Sequence, residues 1–249
     1  MLPVLSLGPL SLPVPNLLPI VGLVLGSWLT ERWAPRLRLA AKVVSDILFY
    51  SVLIGLVGAR LFVVLRTPQA FLQSPTSLVS LNPALLDPLG GVLTAVLAAW
   101  WLAQRRGLSW WRLADGLTPF LAVMQIALAL RAAAQGDFFG LPTTLPWGVD
   151  MWGATRHPTQ LYWALGALMV LALVHGWIRD AAQAPTPPPA GLLFWRFVAL
   201  SAFVFVLVAG FRGDSPVTAS GWRLDQIAGV MVLAVALYHW QRRATASPA

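Results

Sequence analysis

Apolar residues run along this chain in seven long stretches, separated by short clusters of charge, proline and glycine. The stretches cover about Leu12–Leu29, Ile47–Leu65, Pro88–Ala103, Leu117–Ala134, Pro158–Ile178, Leu192–Gly210 and Leu224–Trp240. A membrane-spanning helix needs roughly 17–25 mostly apolar residues, and each stretch is near that length. The pattern predicts an all-α fold: a polytopic membrane helix bundle of about seven transmembrane helices, with residues 1–249 forming a single integral membrane domain. Two intervening segments stand out. Residues 135–156, "QGDFFGLPTTLPWGVDMWGATR", mix Gly, Pro and aromatics, which predicts a segment packed over the membrane surface. Residues 181–191, "AAQAPTPPPAG", are Pro-rich and predict an extended, poorly packed loop with no assigned function.

Composition excludes the soluble alternatives. The chain is 58% hydrophobic and 10% charged, against about 25% charged residues in a soluble domain. It has no cysteine, and therefore no disulfide framework, thiolate metal site or cysteine nucleophile. Its 13 tryptophans suit the headgroup level of a bilayer.

Charge supplies an orientation. No cation precedes the first apolar stretch, and Arg32, Arg36, Arg38 and Lys42 follow it. A cleavable leader would show the reverse, so the N-terminus is expected outside and the C-terminus in the cytoplasm. With that topology 11 of the 17 cations lie on the inner side, which is net +7, while the outer side is neutral. Arg60, within the second stretch, supplies the remaining charge of the formal +8, so loop topology accounts for the total and no nucleic-acid partner is called for.

Four arginines are left unexplained by topology. Arg60 sits in "GLVGARLFVVL", Arg131 in "ALRAAAQGDFFG", Arg156 opens "RHPTQLY", and Arg212 sits in "AGFRGDSP". Ionisable groups at membrane depth are costly and tend to face a bundle interior or a wet cavity. The planar fork of arginine suits phosphate. Together the four read as a cavity for an anionic lipid headgroup; singly, each could snorkel to the interface or pair with an acid such as Asp137 or Asp214. Thr159 and Gln160 read as polar contacts at the same mouth. Tyr162 and Gln226 are headgroup contacts or interfacial and bundle anchors. His157 is either a base, since free imidazole titrates near neutrality, or a cap for the helix that follows. His175 and His239 receive no role.

The motifs "GAR", "GDFFG", "RHPTQLY", "FRGDSP" and "GWRLDQ", with the opening "LGPLSLPVPNLLPIVGLVLGSWLTERWAPR", resemble the prolipoprotein diacylglyceryl transferases of bacterial membranes, in order and over nearly the whole chain. "RHPTQLY" is the most specific. The resemblance implies a multi-pass protein of the bacterial inner membrane. Its partners would be phosphatidylglycerol, prolipoprotein signal peptides and the lipid bilayer. The implied reaction moves a diacylglyceryl group to the lipobox cysteine thiol, forms a thioether and releases glycerol phosphate, with no cofactor and no metal. The implied catalytic residues are Arg131, Asp137, Arg212 and His157; those binding substrate are Arg60, Gly140, Arg156, Gln160, Tyr162 and Gln226.

Several positions depart from the family pattern. Leu89 stands where the family carries histidine, Trp163 and Asp137 stand where it carries glutamates, and the asparagines after the arginine of the fourth span are missing. The first span lacks the family's tyrosine, and Glu31, the one glutamate, falls on the inner side. These departures motivate a second reading, a catalytically impaired family member that binds lipid or signal peptide. A small-solute transporter is a third, weaker fit, because no paired interrupted helices or inverted repeat are evident.

Overall fold

A backbone surrounded by lipid must satisfy its own hydrogen bonds, and a helix does this within one segment. In the computed structural model, which describes residues 4–7, 10–79 and 85–245, every one of the seven apolar stretches is helical. They form α1 (Val14–Trp33), α2 (Ala41–Arg66), α4 (Pro88–Arg105), α5 (Trp110–Gln135), α6 (Thr159–Gln183), α7 (Leu192–Ala209) and α8 (Leu224–Thr245), with a short α3 (Pro68–Gln73) after α2. Among the described residues five helices are long and apolar enough to cross a membrane: α1 with the 3₁₀ turn that follows it, α2, α5, α6 and α7. The chain is therefore a multi-pass helical membrane bundle. α4 and α8 are not among these five. α4 carries Gln104 and Arg105 inside its 18 residues, and α8 begins with Asp225 and Gln226 and ends with Arg242 and Arg243. Both nonetheless lie along a membrane-length neighbour, α4 on α2 and α8 on α7.

α5 is the hub, packed against α1, α6 and α7. One apolar core joins Trp33, Ala122, Val174, Ile178, Phe197 and Val204; a second joins Val44, Ile47, Ala99, Ala103 and Leu113. Lipid tails are as apolar as leucine, so contact between helices in a bilayer relies on close packing of small residues. On α2, a Cβ at Gly55 would lie 2.9 Å from the Ala95 Cβ and 3.0 Å from the Gly91 carbonyl oxygen of α4. Large apolar side chains point outward instead, among them Ile20, Val57, Leu97, Leu165 and Met231. At one end of the bundle the buried Asp115 of α5 accepts hydrogen bonds from the Gly191 and Phe194 amides at 2.6 and 2.9 Å. It caps α7, satisfies donors no helix can satisfy itself, and fixes α7 to α5.

The bundle is all-α as expected, with two short antiparallel hairpins added to it: β1 (Val4–Leu7) pairs with β2 (Leu10–Pro13), and β3 (Val149–Met151) pairs with β4 (Ala154–Arg156). Two boundaries need correction. The first helix begins at Val14, not Leu12, because Pro13 is extended and Pro15 takes a position near the helix start where a missing N–H costs nothing. The Pro-rich loop is shorter than its composition indicated. α6 continues through Gln183, and Ala184 turns extended as the residue before Pro185. The start of that loop is tied down: Arg38 Nη2 donates to the Ala184 and Pro185 carbonyls at 2.7 and 2.9 Å.

Candidate functional site

The quoted motifs meet at one end of the bundle, where α5 and α7 finish and α6 begins. α5 stops at Gly136, whose φ of 78° is left-handed, and Phe138 follows with φ 55°. This reversal sends residues 139–143 back as a straight strip. The Leu141 amide donates to the Phe211 carbonyl at 2.8 Å, and the Gly213 amide donates to the Phe139 carbonyl at 2.8 Å. On the other side the His157 amide donates to Leu141 at 3.0 Å, and the Thr143 amide donates to Thr155 at 2.9 Å. Residues 139–143 therefore extend the β3–β4 hairpin and carry the 211–213 turn as a further layer. Gly140 lies at the crossing. It bridges Arg212, and an added Cβ would collide with the backbone carbonyl of His157. Gly140→Ala is expected to lower thermal stability in detergent by the roughly 1–3 kcal/mol that overpacking costs, measured as a fall in unfolding temperature.

Arg156 and Arg212 hold this patch together. Arg156 donates from Nε to the Met151 carbonyl at 3.0 Å and from Nη1 to the Gly140 carbonyl at 3.2 Å, and its guanidinium lies 5.0 Å from the Phe139 ring. The buried Arg212 donates from Nε to Asp214 at 2.9 Å, pairs through Nη1 with Asp225 at 2.8 Å, and covers the Phe138 ring at 4.4 Å. Arg223 Nη1 donates to the Arg212 carbonyl, and Ser215 Oγ donates to Asp225. Two arginines and two aspartates thus make a locally neutral cluster that pins the start of α8 to the end of α7. Gln226 follows, its amide on Asp225 at 2.9 Å and its side-chain nitrogen 3.4 Å from the Val206 carbonyl.

His157 is not a cap. The cap position belongs to Pro158, and the imidazole Nδ1 lies 3.3 Å from the Tyr162 hydroxyl, beside the Phe211 ring at 5.2 Å. Tyr162 accepts from Trp147 Nε1 at 2.9 Å. The buried Gln160 donates to the Asp137 carbonyl at 2.6 Å, and Thr159 Oγ1 donates to the Phe138 carbonyl. Both lock α6 to the chain leaving α5. Asp137, just past the left-handed turn at Gly136, is exposed, so burial does not raise its basicity.

Arg131 behaves differently from Arg156 and Arg212. It is half-buried on the last turns of α5 and makes no hydrogen bond or ion pair with any described residue. One turn on, Gln135 carries a buried Oε1 that receives no hydrogen bond from a described residue. Val123, Ala127 and Leu130 of α5, with Leu18, Gly22 and Leu25 of α1, line an apolar groove of about 310 Å³, and Arg131 follows Leu130 in the chain. Arg60 stands half-buried on α2, beside α4, and is not among the residues joined by the contacts named above.

The sequence brought Gly140, Arg156, His157, Gln160, Tyr162, Arg212 and Gln226 to notice, and the structure gathers all seven at this end of the bundle. The expected wall of four arginines takes another form: two are spent on backbone and carboxylates, and Arg131 has a charge that no described side chain answers. Gln135, Ser215, Arg223 and Asp225 were missed as site residues. "GWRLDQ" held the last pair, but spacing alone gives no sign that it reaches Arg212.

The sequence matches the prolipoprotein diacylglyceryl transferase family over residues 3–241. Among curated relatives it is similar to phosphatidylglycerol–prolipoprotein diacylglyceryl transferases from several bacteria. That of Solidesulfovibrio magneticus is 30% identical over 96% of this chain and 93% of its own length. That of Nitrosomonas europaea is 28% identical over 98% and 91%, and that of Nitratidesulfovibrio vulgaris 31% over 76% and 73%. A match spanning the helices, the reversal after α5 and the Arg212 cluster alike shows that the chain belongs to the prolipoprotein diacylglyceryl transferase family.

Proposed function

We infer that this protein transfers the diacylglyceryl group of phosphatidylglycerol to the cysteine thiol of prolipoproteins. The observation that carries the reading is the family match over residues 3–241, together with a half-buried Arg131 that no described residue answers, next in the chain after Leu130 of the apolar groove. A C–S bond forms to the glyceryl carbon, the C–O bond to phosphate breaks, and glycerol phosphate departs with added negative charge. The thiol must give up its proton, since only the thiolate attacks well and a free thiol has a pKa of about 8.5.

Each element has a role in this reading. Arg131 takes the phosphate and stabilises the charge that grows on it, with Arg60 as a second cation. The Gln135 oxygen accepts a hydroxyl of the glycerol headgroup. One acyl chain lies in the groove between α1 and α5. His157, held at Nδ1 by Tyr162, receives the thiol proton, and the exposed Asp137 is the alternative acceptor. Arg156, Arg212, Gly140, Gln160 and Gln226 keep the end of α5 and the start of α6 in register around the reacting atoms. Seven spans with the N-terminus outside follow if α4 and α8 also cross, which the positive-inside count favours. The site then opens to the outer leaflet of the bacterial inner membrane, where a lipobox arriving at the end of a signal peptide can reach it, and the 136–158 segment rests on the membrane surface through Leu145, Trp147 and Trp152. Residues 1–249 act as one integral membrane unit, without nucleic acid.

Expression in cells depleted of their own transferase tests the reaction against binding alone. A reporter lipoprotein is expected to gain the mass of one diacylglyceryl group. No gain, with the protein inserted and folded, would leave the binding-only reading in its place.

A further inference from the structure

The opposite end of α7 carries a second cation whose situation the transferase site does not explain. Arg196 lies near the start of the helix, with its guanidinium between two indoles, 5.3 Å from the Trp177 ring of α6 and 5.7 Å from the Trp240 ring of α8. Its Nε is buried and has no hydrogen-bond partner among the described residues. The nearby carboxylate, Asp180, pairs with Arg179 at 3.6 Å instead. Arg196 faces a cavity of about 370 Å³ between α6 and α7, floored by Leu37 and Leu193 and roofed by residues 186–189. Arg38 ties that proline strap down through the Ala184 and Pro185 carbonyls. Asp180 lines the same cavity.

We propose that this cavity is a phosphate site, filled by the headgroup phosphate of a membrane glycerophospholipid held on Arg196. A desolvated guanidinium with an unspent donor is costly until an anion answers it, and its fork matches two phosphate oxygens. The indole walls keep water from the pair and strengthen it. Tryptophans at this level also mark where headgroups lie. Asp180 at the rim then accepts a hydroxyl or ammonium of the headgroup, so the cavity complements a phosphate ester that carries a donor rather than a bare ion. Arg196 is thirteen residues from Ala209 along α7, about 20 Å at 1.5 Å per residue. The two sites therefore share no residue, and this inference does not depend on the transferase reading.

Native mass spectrometry of the full chain in detergent, titrated with phosphatidylglycerol, tests it. Wild type and Arg131→Ala are expected to keep a bound phospholipid that Arg196→Gln loses or holds about tenfold or more weakly. Thr186→Trp, which plugs the cavity from an exposed loop position and leaves the helices alone, is expected to do the same, so a folding defect in Arg196→Gln does not decide the matter. Both variants are expected to keep transferase activity. Competition by millimolar inorganic phosphate separates the sources: a lipid that stays bound supports the headgroup assignment, and one that is displaced assigns the site to the free anion and overturns the lipid. Unchanged lipid binding in both variants overturns the site itself.

Discussion

Arg131→Ala is expected to lower diacylglyceryl transfer by about 10²–10³-fold and to leave membrane insertion and unfolding temperature at wild-type values. The two halves of that expectation have one cause. Arg131 makes no hydrogen bond or ion pair with any described residue, so nothing in the fold depends on its charge. Insertion is driven by the apolar helices, and α5 keeps its cap at Gly136 and its contacts with α1, α6 and α7 whether position 131 carries a guanidinium or a methyl group. What disappears, in the proposed mechanism, is a cation placed in advance where the leaving phosphate gains charge. Arg131→Lys keeps a point charge and loses the fork; it is expected to recover part of the rate and to fall short of wild type. The reporter mass shift measures the rate, and a melting curve in detergent measures the fold. Wild-type transfer from Arg131→Ala would remove this residue from the chemistry and with it the proposed phosphate position.

Much of this architecture was legible because bilayers impose long apolar runs. Each of the seven runs became a helix, with ends that moved by a few residues where proline chemistry intervened, as at Pro13 and Pro185. The site was legible by type and not by pairing. An arginine at membrane depth announces itself, and Asp214, two residues from Arg212, was a visible partner. Asp225 was not, because its approach depends on the 213–223 segment folding back to start α8 beside the end of α7. The strip at 139–143 was hidden for the same reason: its partners at 211–213 lie some seventy residues away, and "GDFFGLP" carries no alternation that marks a strand. Gln135 escaped notice because a glutamine at a helix end is ordinary in sequence; its buried, unanswered oxygen is a property of packing. His157 shows the limit from the other side. Its place before a proline at a helix start fits a cap and a base equally, and only the direction of the ring, toward Tyr162, shows that it does not cap α6.

Arg212→Ala is expected to lose transfer as Arg131→Ala does, and in addition to lose stability. Arg212 is buried between Asp214 and Asp225, 2.9 and 2.8 Å away, and its own carbonyl accepts from Arg223. Removing it leaves Asp225 without its cation in a partly buried position. Breaking a buried pair from one side costs on the order of 3 kcal/mol, well above the worth of a surface pair. The residues released are those that bridge Gly140 and anchor the start of α8, so the strip leaving α5 loosens and Arg131 loses its setting. Pairing the change with Asp225→Asn removes the stranded charge. The double variant is therefore expected to recover much of the unfolding temperature while transfer stays low, because a neutral amide holds the turn less firmly than the ion pair did. Recovery of both together would mean that Arg212 acts through stability alone. An Arg212→Ala protein that melts like wild type would show that the ion cluster does not hold this end of the bundle, and the division between a reacting arginine and a positioning one would fall.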